Sequence, residues 1–110
     1  MESYAIAKMQ RISPIKIRLV IDLIRGKDVE EAKTILVNYN TKASKMILKV
    51  LNSAIANAKN NEGADETKLF VSEARVDAGP VMKRIMFDSR GYIGHKDKRT
   101  SHIVVRVKER

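Results

Sequence analysis

Six cations, Lys83, Arg84, Arg90, Lys96, Lys98 and Arg99, fall within the 24 residues from Gly79 to His102. Large apolar residues, among them Met82, Phe87 and Tyr92, are interleaved with them. A guanidinium presents a planar fork that fits phosphate oxygens and guanine edges, and an ammonium acts as a point charge. Aromatic faces stack on unpaired bases, each stack contributing ~1–3 kcal/mol. Together these types describe recognition of a polyanion that carries bases. A second group, Lys16, Arg18, Arg25 and Lys27, lies within twelve residues and suits phosphate contact. Lys42, Lys45, Lys49 and Lys59 read first as the solvated face of a helix, with an RNA-binding stripe as the alternative.

Catalytic sets are missing by comparison. The chain has 2 histidines, His95 and His102, and no cysteine. Their spacing to Asp88 or Asp97 matches no metal-ligand motif, so no metal is expected. The histidines read as polar groups able to stack on or hydrogen-bond to RNA, His102 above all. Glu30 and Glu31 suit the start of a helix better than acid–base work. The serines have no nucleophile context, and Gly91 and Gly94 do not follow a strand in phosphate-loop spacing. The expectation is a binding protein with no cofactor, not an enzyme.

Composition agrees. Over 110 residues, 22 Lys and Arg face 13 Asp and Glu, a net charge of +9. Such a surplus on a small chain is the footprint of a polyanion binder, since each phosphate contact releases condensed counterions. It is unevenly placed: residues 1–27 carry 6 basic and 2 acidic groups (+4), 28–66 carry 5 and 6 (−1), and 67–110 carry 11 and 5 (+6). The lack of cysteine excludes disulfides and fits a reducing compartment. No apolar run nears the roughly 18 residues of a spanning helix, and Met1-Glu2-Ser3 does not open a signal peptide. A soluble cytoplasmic protein without membrane contact is expected.

The elements that must position these cations follow from periodicity. Residues 3–10 alternate, with Tyr4, Ile6 and Lys8 on one face and Ala5, Ala7 and Met9 on the other, which predicts a strand. Ser13-Pro14 opens a helix, the serine accepting from first-turn amides. Ile15, Leu19, Asp22 and Leu23 fall on one side of it, Ile12, Val20 and Ile24 lie beside them, and Gly26 ends it. Asp28 with Glu31 opens a second helix in capping-box fashion, with a stripe of Val29, Ala32, Ile35 and Leu36. Thr41 caps the longest helix, where Ala43, Met46, Ile47, Val50, Leu51, Ala54, Ile55 and Ala58 recur at steps of three and four until Gly63.

Residues 67–78 alternate again. Phe70, Ala74 and Val76 face one way and Lys68, Glu73, Arg75 and Asp77 mostly the other, while Leu69 and Val71 break the pattern and suggest partial cover on the second face. Ser101, Ile103, Val105 and Val107 mark a return strand. The reading is one α+β domain: three helices packed on a small three-stranded antiparallel sheet with a long protruding β-hairpin arm. The body is 1–78 and 103–110, the arm 79–102. The bend lies between about Phe87 and Gly94, and at ~3.3 Å per residue the tip projects on the order of 30 Å. Such an arm cannot bury itself, and so it needs another molecule.

The runs SPIKIRLVIDLIRGK (Ser13 to Lys27), KVLNSAIANAKNN (Lys49 to Asn61) and VDAGPVMKRIM with KRTSHIVV (Val76 to Val105) resemble the bacterial large-subunit ribosomal protein L-twenty-two family. The resemblance is collinear over essentially the whole chain. It implies an α+β body at the outer face of the large subunit near the exit of the peptide tunnel. It also implies a hairpin that threads between rRNA segments to form part of the tunnel wall, close to where macrolides bind. The implied partners are large-subunit rRNA, neighbouring large-subunit proteins and the nascent polypeptide, with a role in subunit assembly and no homo-oligomer. Gly79, Pro80, Met82, Lys83, Arg84, Arg90, Gly91, Lys98, Arg99, Thr100, Ser101 and His102 match the family's hairpin. Met82, Phe87, Gly91 and Tyr92 are the candidate tip and stacking residues, Phe87 and Tyr92 by their aromatic faces near the bend. There the chain departs from the family, with Asp88 and Tyr92 where arginines are usual and Phe87 where a proline is. A free-standing single-strand RNA or DNA binder using Phe87 and Tyr92 is the competing reading.

Overall fold

A computed structural model describes residues 2–10, 12–79, 82–87, 93–98 and 100–109. Five strands and three helices follow in the order β1 (Glu2–Gln10), α1 (Pro14–Ile21), α2 (Val29–Tyr39), α3 (Lys42–Glu62), β2 (Leu69–Ala78), β3 (Met82–Phe87), β4 (Ile93–Lys98) and β5 (Ser101–Glu109). A short 3₁₀ turn, Glu66–Lys68, leads into β2. One antiparallel sheet runs β1-β5-β2, and β3 and β4 pair with each other as a separate ladder. This is the expected α+β arrangement. The Cα envelope measures 61 × 26 × 17 Å. Among the described residues no helix is long and apolar enough to cross a membrane.

The helices cover one face of the sheet. Leu69, Val71, Ala74 and Val76 of β2 and Ile103, Val105 and Val107 of β5 are buried there, with Ala5 and Ala7 of β1 packed beside them. Against them lie Ile47, Leu51, Ala54 and Ala58 of α3, Ile17, Val20 and Ile21 of α1, and Val29, Ala32 and Leu36 of α2. Each fully buried Ile or Leu contributes about 1.5–3 kcal/mol of transfer free energy. α3 follows its expected stripe throughout, because no other face of that helix is apolar.

The broken alternation of β2 has a geometric cause. Val71 pairs with Val107 and Glu73 with Arg106, so Ser72 is an extra residue in the ladder. A bulge shifts the phase of every later side chain by one. Leu69 and Val71 therefore point inward before it, and Ala74 and Val76 after it. Phe70, read from the sequence as sharing a face with Ala74 and Val76, is half-buried outside that core set.

Helix α1 departs from its reading more deeply. Ile15, Leu19 and Leu23 are 68%, 65% and 40% exposed, while Ile17, Val20, Ile21 and Ile24 are buried. The segment is apolar nearly all round, so two faces satisfy the helical period. The rotation is set by the long polar groups. The Arg18 Nη2 group donates to the Val76 carbonyl (3.4 Å), and Arg25 donates from Nε and Nη2 to the Ala74 carbonyl (3.0 and 2.7 Å). Both acceptors lie on the outer edge of β2. The helix ends at Ile21 and winds on through tighter turns to Gly26, whose φ of +79° reverses the chain.

The caps differ in kind. Thr41 Oγ1 accepts from the Ser44 amide (3.1 Å) and Ser44 Oγ from the Thr41 amide (2.8 Å), a reciprocal box. Ser13 and Asp28 occupy cap positions but make no side-chain cap bond, contrary to expectation. At Ser13, Pro14 already supplies the helical φ and has no amide to satisfy. Thr41→Ala should therefore lower the unfolding free energy by about 1 kcal/mol. Ser13→Ala should lower it by a few tenths at most. Equal losses in urea unfolding would contradict this division.

One ion cluster joins distant elements. Glu66 meets Lys33 of α2 (2.5 Å) and Lys59 of α3 (3.2 Å). These hydrogen bonds hold its carboxyl below the usual range, against a smaller opposing effect of burial. A lowered folded pKa gives stability that is complete above the unfolded value and is lost as pH falls through the folded one. Stability should thus fall on the acid side of the ordinary glutamate range, and Glu66→Gln should make that fall shallower. Identical acid limbs in thermal melts of the two proteins would show that Glu66 contributes nothing.

Candidate nucleic-acid interface

The arm continues the body's central ladder. Ala78 pairs with Ser101 and Asp77 with His102, so His102 lies in the body sheet, half-buried. The Gly79 amide then donates to the Thr100 carbonyl (3.0 Å). A Cβ on Gly79 would collide with Thr100 Oγ1 and meet the Thr100 carbonyl carbon at 3.3 Å. Thr100 is buried, so it has little room to yield. The Ser101 hydroxyl donates to the Ile12 carbonyl at 2.6 Å, which ties this root to the approach of α1. Past the root the register slips by one residue: Met82 faces Lys98, Lys83 faces Asp97, Arg84 faces Lys96 and Phe87 faces Ile93. Arg90, Gly91, Tyr92 and Arg99 lie outside the described residues.

The four cations of the amino-terminal group do not act alike. Arg25 is committed to the Ala74 carbonyl and to Asp22 (2.7 Å), and Arg18 reaches the Val76 carbonyl. Both close the open edge of β2, where unpaired carbonyls would otherwise face solvent. Farther along the same edge the backbone does the same work: the Gly26 amide donates to the Val71 carbonyl (3.0 Å) and the Val71 amide to the Lys27 carbonyl (2.8 Å). Lys27 approaches Glu31 only loosely, at 4.0 Å. Lys16 is exposed.

On the sheet's uncovered face, Glu73 bridges Arg75 (2.6 Å) and Arg106 (2.9 Å), and Arg106 lies 5.3 Å above the Tyr4 ring. Asp77 also meets Arg75 (3.2 Å). Those arginines are neutralised within the protein. On α3, Lys59 is bound to Glu66, whereas among the described residues no carboxylate pairs with Lys42, Lys45 or Lys49. Spaced at three and four, these three lysines share one exposed face of the helix.

Lys16 and Lys42 come together across a surface groove of about 410 Å³. It lies between α1 and the junction of α2 with α3, and Leu19 and Tyr39 also line it. Sequence reasoning missed it. The sequence groups Leu19 with Ile15, Asp22 and Leu23 on one side of the helix and singles out no role for Tyr39. The separation of α1 from α3 in sequence hid the pairing of their lysines.

A contrast follows. Arg25→Ala removes charge-assisted hydrogen bonds to a strand edge and should destabilise the RNA-free protein by about 1.5–3 kcal/mol. Lys16→Ala should leave its stability within about 0.5 kcal/mol. Chemical denaturation of both variants checks this, and an unchanged Arg25→Ala midpoint would free Arg25 for ligand contact.

The chain matches the family described as ribosomal protein L22p/L17e over residues 5–108. It is 54% identical over 106 residues to the large ribosomal subunit protein uL22 of Mycoplasmopsis agalactiae, covering 96% of this chain and 93% of the relative. Identity to the protein of the same name from Thermoanaerobacter sp. is 52% over 110 residues, covering 100% and 99%. For Thermus thermophilus it is 50% over 110 residues, covering 100% and 97%.

Proposed function

The chain belongs to the ribosomal protein L22p/L17e family, and we propose that it binds large-subunit rRNA through its arm and through exposed cations of its body. Its role is that of a structural constituent of the large ribosomal subunit, located with the ribosome in the cytoplasm, in a family of structural components and not of enzymes. The observation that carries the rRNA reading is the charge register of the arm. Arg84 stands directly opposite Lys96 in the register, and among the described residues β3 and β4 pair only with each other. Like charges directly opposite on neighbouring strands are destabilising. Phosphates between and around them turn that repulsion into attraction.

The contacts divide by location. Lys83, Arg84, Lys96 and Lys98, with Arg90 and Arg99, bind rRNA phosphates along the arm, and Met82, Phe87, Gly91 and Tyr92 serve its tip. On the body, Lys16 and Lys27 reach phosphate, and His102 contacts RNA at the arm's root. Arg18 and Arg25 contribute their charge from the strand edge that they close. The arm clamps rRNA segments during assembly and reaches the wall of the polypeptide tunnel, beside the nascent chain and neighbouring large-subunit proteins.

The test is sedimentation of the tagged chain through a high-salt sucrose gradient. The native chain should co-migrate with the large subunit after the wash, because loose electrostatic binding falls steeply with salt. A variant with Lys83, Arg84, Lys98 and Arg99 all replaced by Ala should leave the subunit at lower salt. In binding to rRNA its log–log salt dependence should be shallower by ~0.7–0.9 per lost phosphate contact. Native chain left at the top, with intact subunits below, would favour the free single-strand binder instead.

A further inference from the structure

We infer that the groove between α1 and the α2–α3 junction holds an unpaired base of the RNA together with its flanking phosphates. The inference rests on the rRNA-binding reading and adds a second contact, on the body and not on the arm, with its own ligand chemistry. Three observations meet there. The groove has a volume of about 410 Å³, enough for one nucleotide, and no acidic side chain lines it. Its walls offer apolar surface that the fold leaves bare: Leu19 is 65% exposed and Tyr39 46% exposed. Its rim carries Lys16 and Lys42, neither paired with a carboxylate among the described residues.

A base is the occupant that uses all of these at once. It has two apolar faces to cover Leu19 and Tyr39, and sequence-reading RNA contacts commonly stack splayed bases on aromatic rings. Its phosphates lie on either side, where Lys16 and Lys42 stand. Ser13 also lines the groove, and its hydroxyl is not engaged as a helix cap. It is therefore free to bond a base edge. Thr41, Lys42 and Ala43, which begin α3, face the same space, and that helix carries no acid in its first turn to offset the positive end of its dipole. The exposure of Leu19 is thereby explained. Next to a stacking tyrosine and two lysines, an apolar side chain turned away from the core is a binding wall.

The test is a nuclear magnetic resonance titration of the full chain with a six-nucleotide single-stranded oligoadenylate, set beside polyphosphate of matching charge. Saturable shifts at Leu19, Tyr39 and Ala43 are expected with the RNA alone, while polyphosphate should move only lysine signals. Tyr39→Ala should weaken the groove signal on the order of tenfold and Tyr39→Phe should retain it. Tyr39 is half exposed, so neither change should unfold the chain. The same groove shifts with polyphosphate, or shifts confined to the arm, would overturn the inference. A photo-crosslinker in place of Tyr39, carried into salt-washed subunits, should yield a ribonuclease-sensitive adduct. An adduct with protein would give the groove to a neighbouring subunit protein and overturn it equally. Entry into subunits is read by sedimentation, so failure of the groove leaves the ribosomal role standing.

Discussion

The β2–β5 ladder is the constraint on which the rest depends. β5 is hydrogen-bonded along both sides, to β1 and to β2. Its inward residues Ile103, Val105 and Val107 form the floor on which the helices sit. The same two strands, carried past Ala78 and Ser101, become the root of the arm. Whatever fixes the register of the core therefore also aims the arm. A one-residue slip would turn Ile103 and Val105 outward and rotate the root with them. Gly79 packed on buried Thr100, and Ser101 bonded to Ile12, hold the point where the two jobs meet.

A three-stranded sheet has two open edges, and side chains from the helical layer reach both of them here. Arg18 and Arg25 cover β2, and on the other side Asn57 of α3 donates to the Tyr4 carbonyl of β1 (2.9 Å). This separates cations that look alike in the sequence. Some complete the fold, as at Arg25, Lys59 and Arg106, and their charge is answered within the molecule. Lys16, Lys42, Lys45 and Lys49 are not answered within the described residues. These four lysines are charges of the described body that a polyanion can neutralise.

Much of the fold was legible because most elements carry one unambiguous period. α3 has a single apolar stripe and a capping threonine, and Ser101, Ile103, Val105 and Val107 of β5 alternate as expected, although Val104 on the other face is buried too. The failures are equally physical. α1 has apolar residues on two faces, so periodicity could not choose between Leu19 and Ile17. The choice depended on arginines reaching carbonyls more than 45 positions away. The bulge at Ser72 leaves no composition signal beyond the broken alternation at Leu69 and Val71, which the sequence suggests is partial cover on the second face and the register shows to be a change of phase. Ser13 and Asp28 have the right identity for caps, but cap bonding needs a geometry that identity does not dictate. In the candidate interface the clusters of charge were readable, whereas their sorting into paired and unpaired was not. That sorting depends on which carboxylate folding brings near.

The division of charge also orders the energetics of assembly. The body's buried stripe is continuous across its sheet and helices, and side chains of the helical layer bond to both outer strands. In the arm's ladder Arg84 stands in register with Lys96, and among the described residues β3 and β4 pair only with each other. If the arm binds rRNA as proposed, phosphates beside those positions would relieve the like-charge pairing, so that binding would itself strengthen the ladder. A body with its own continuous core, joined to such an arm, would suit a protein built into a large RNA particle.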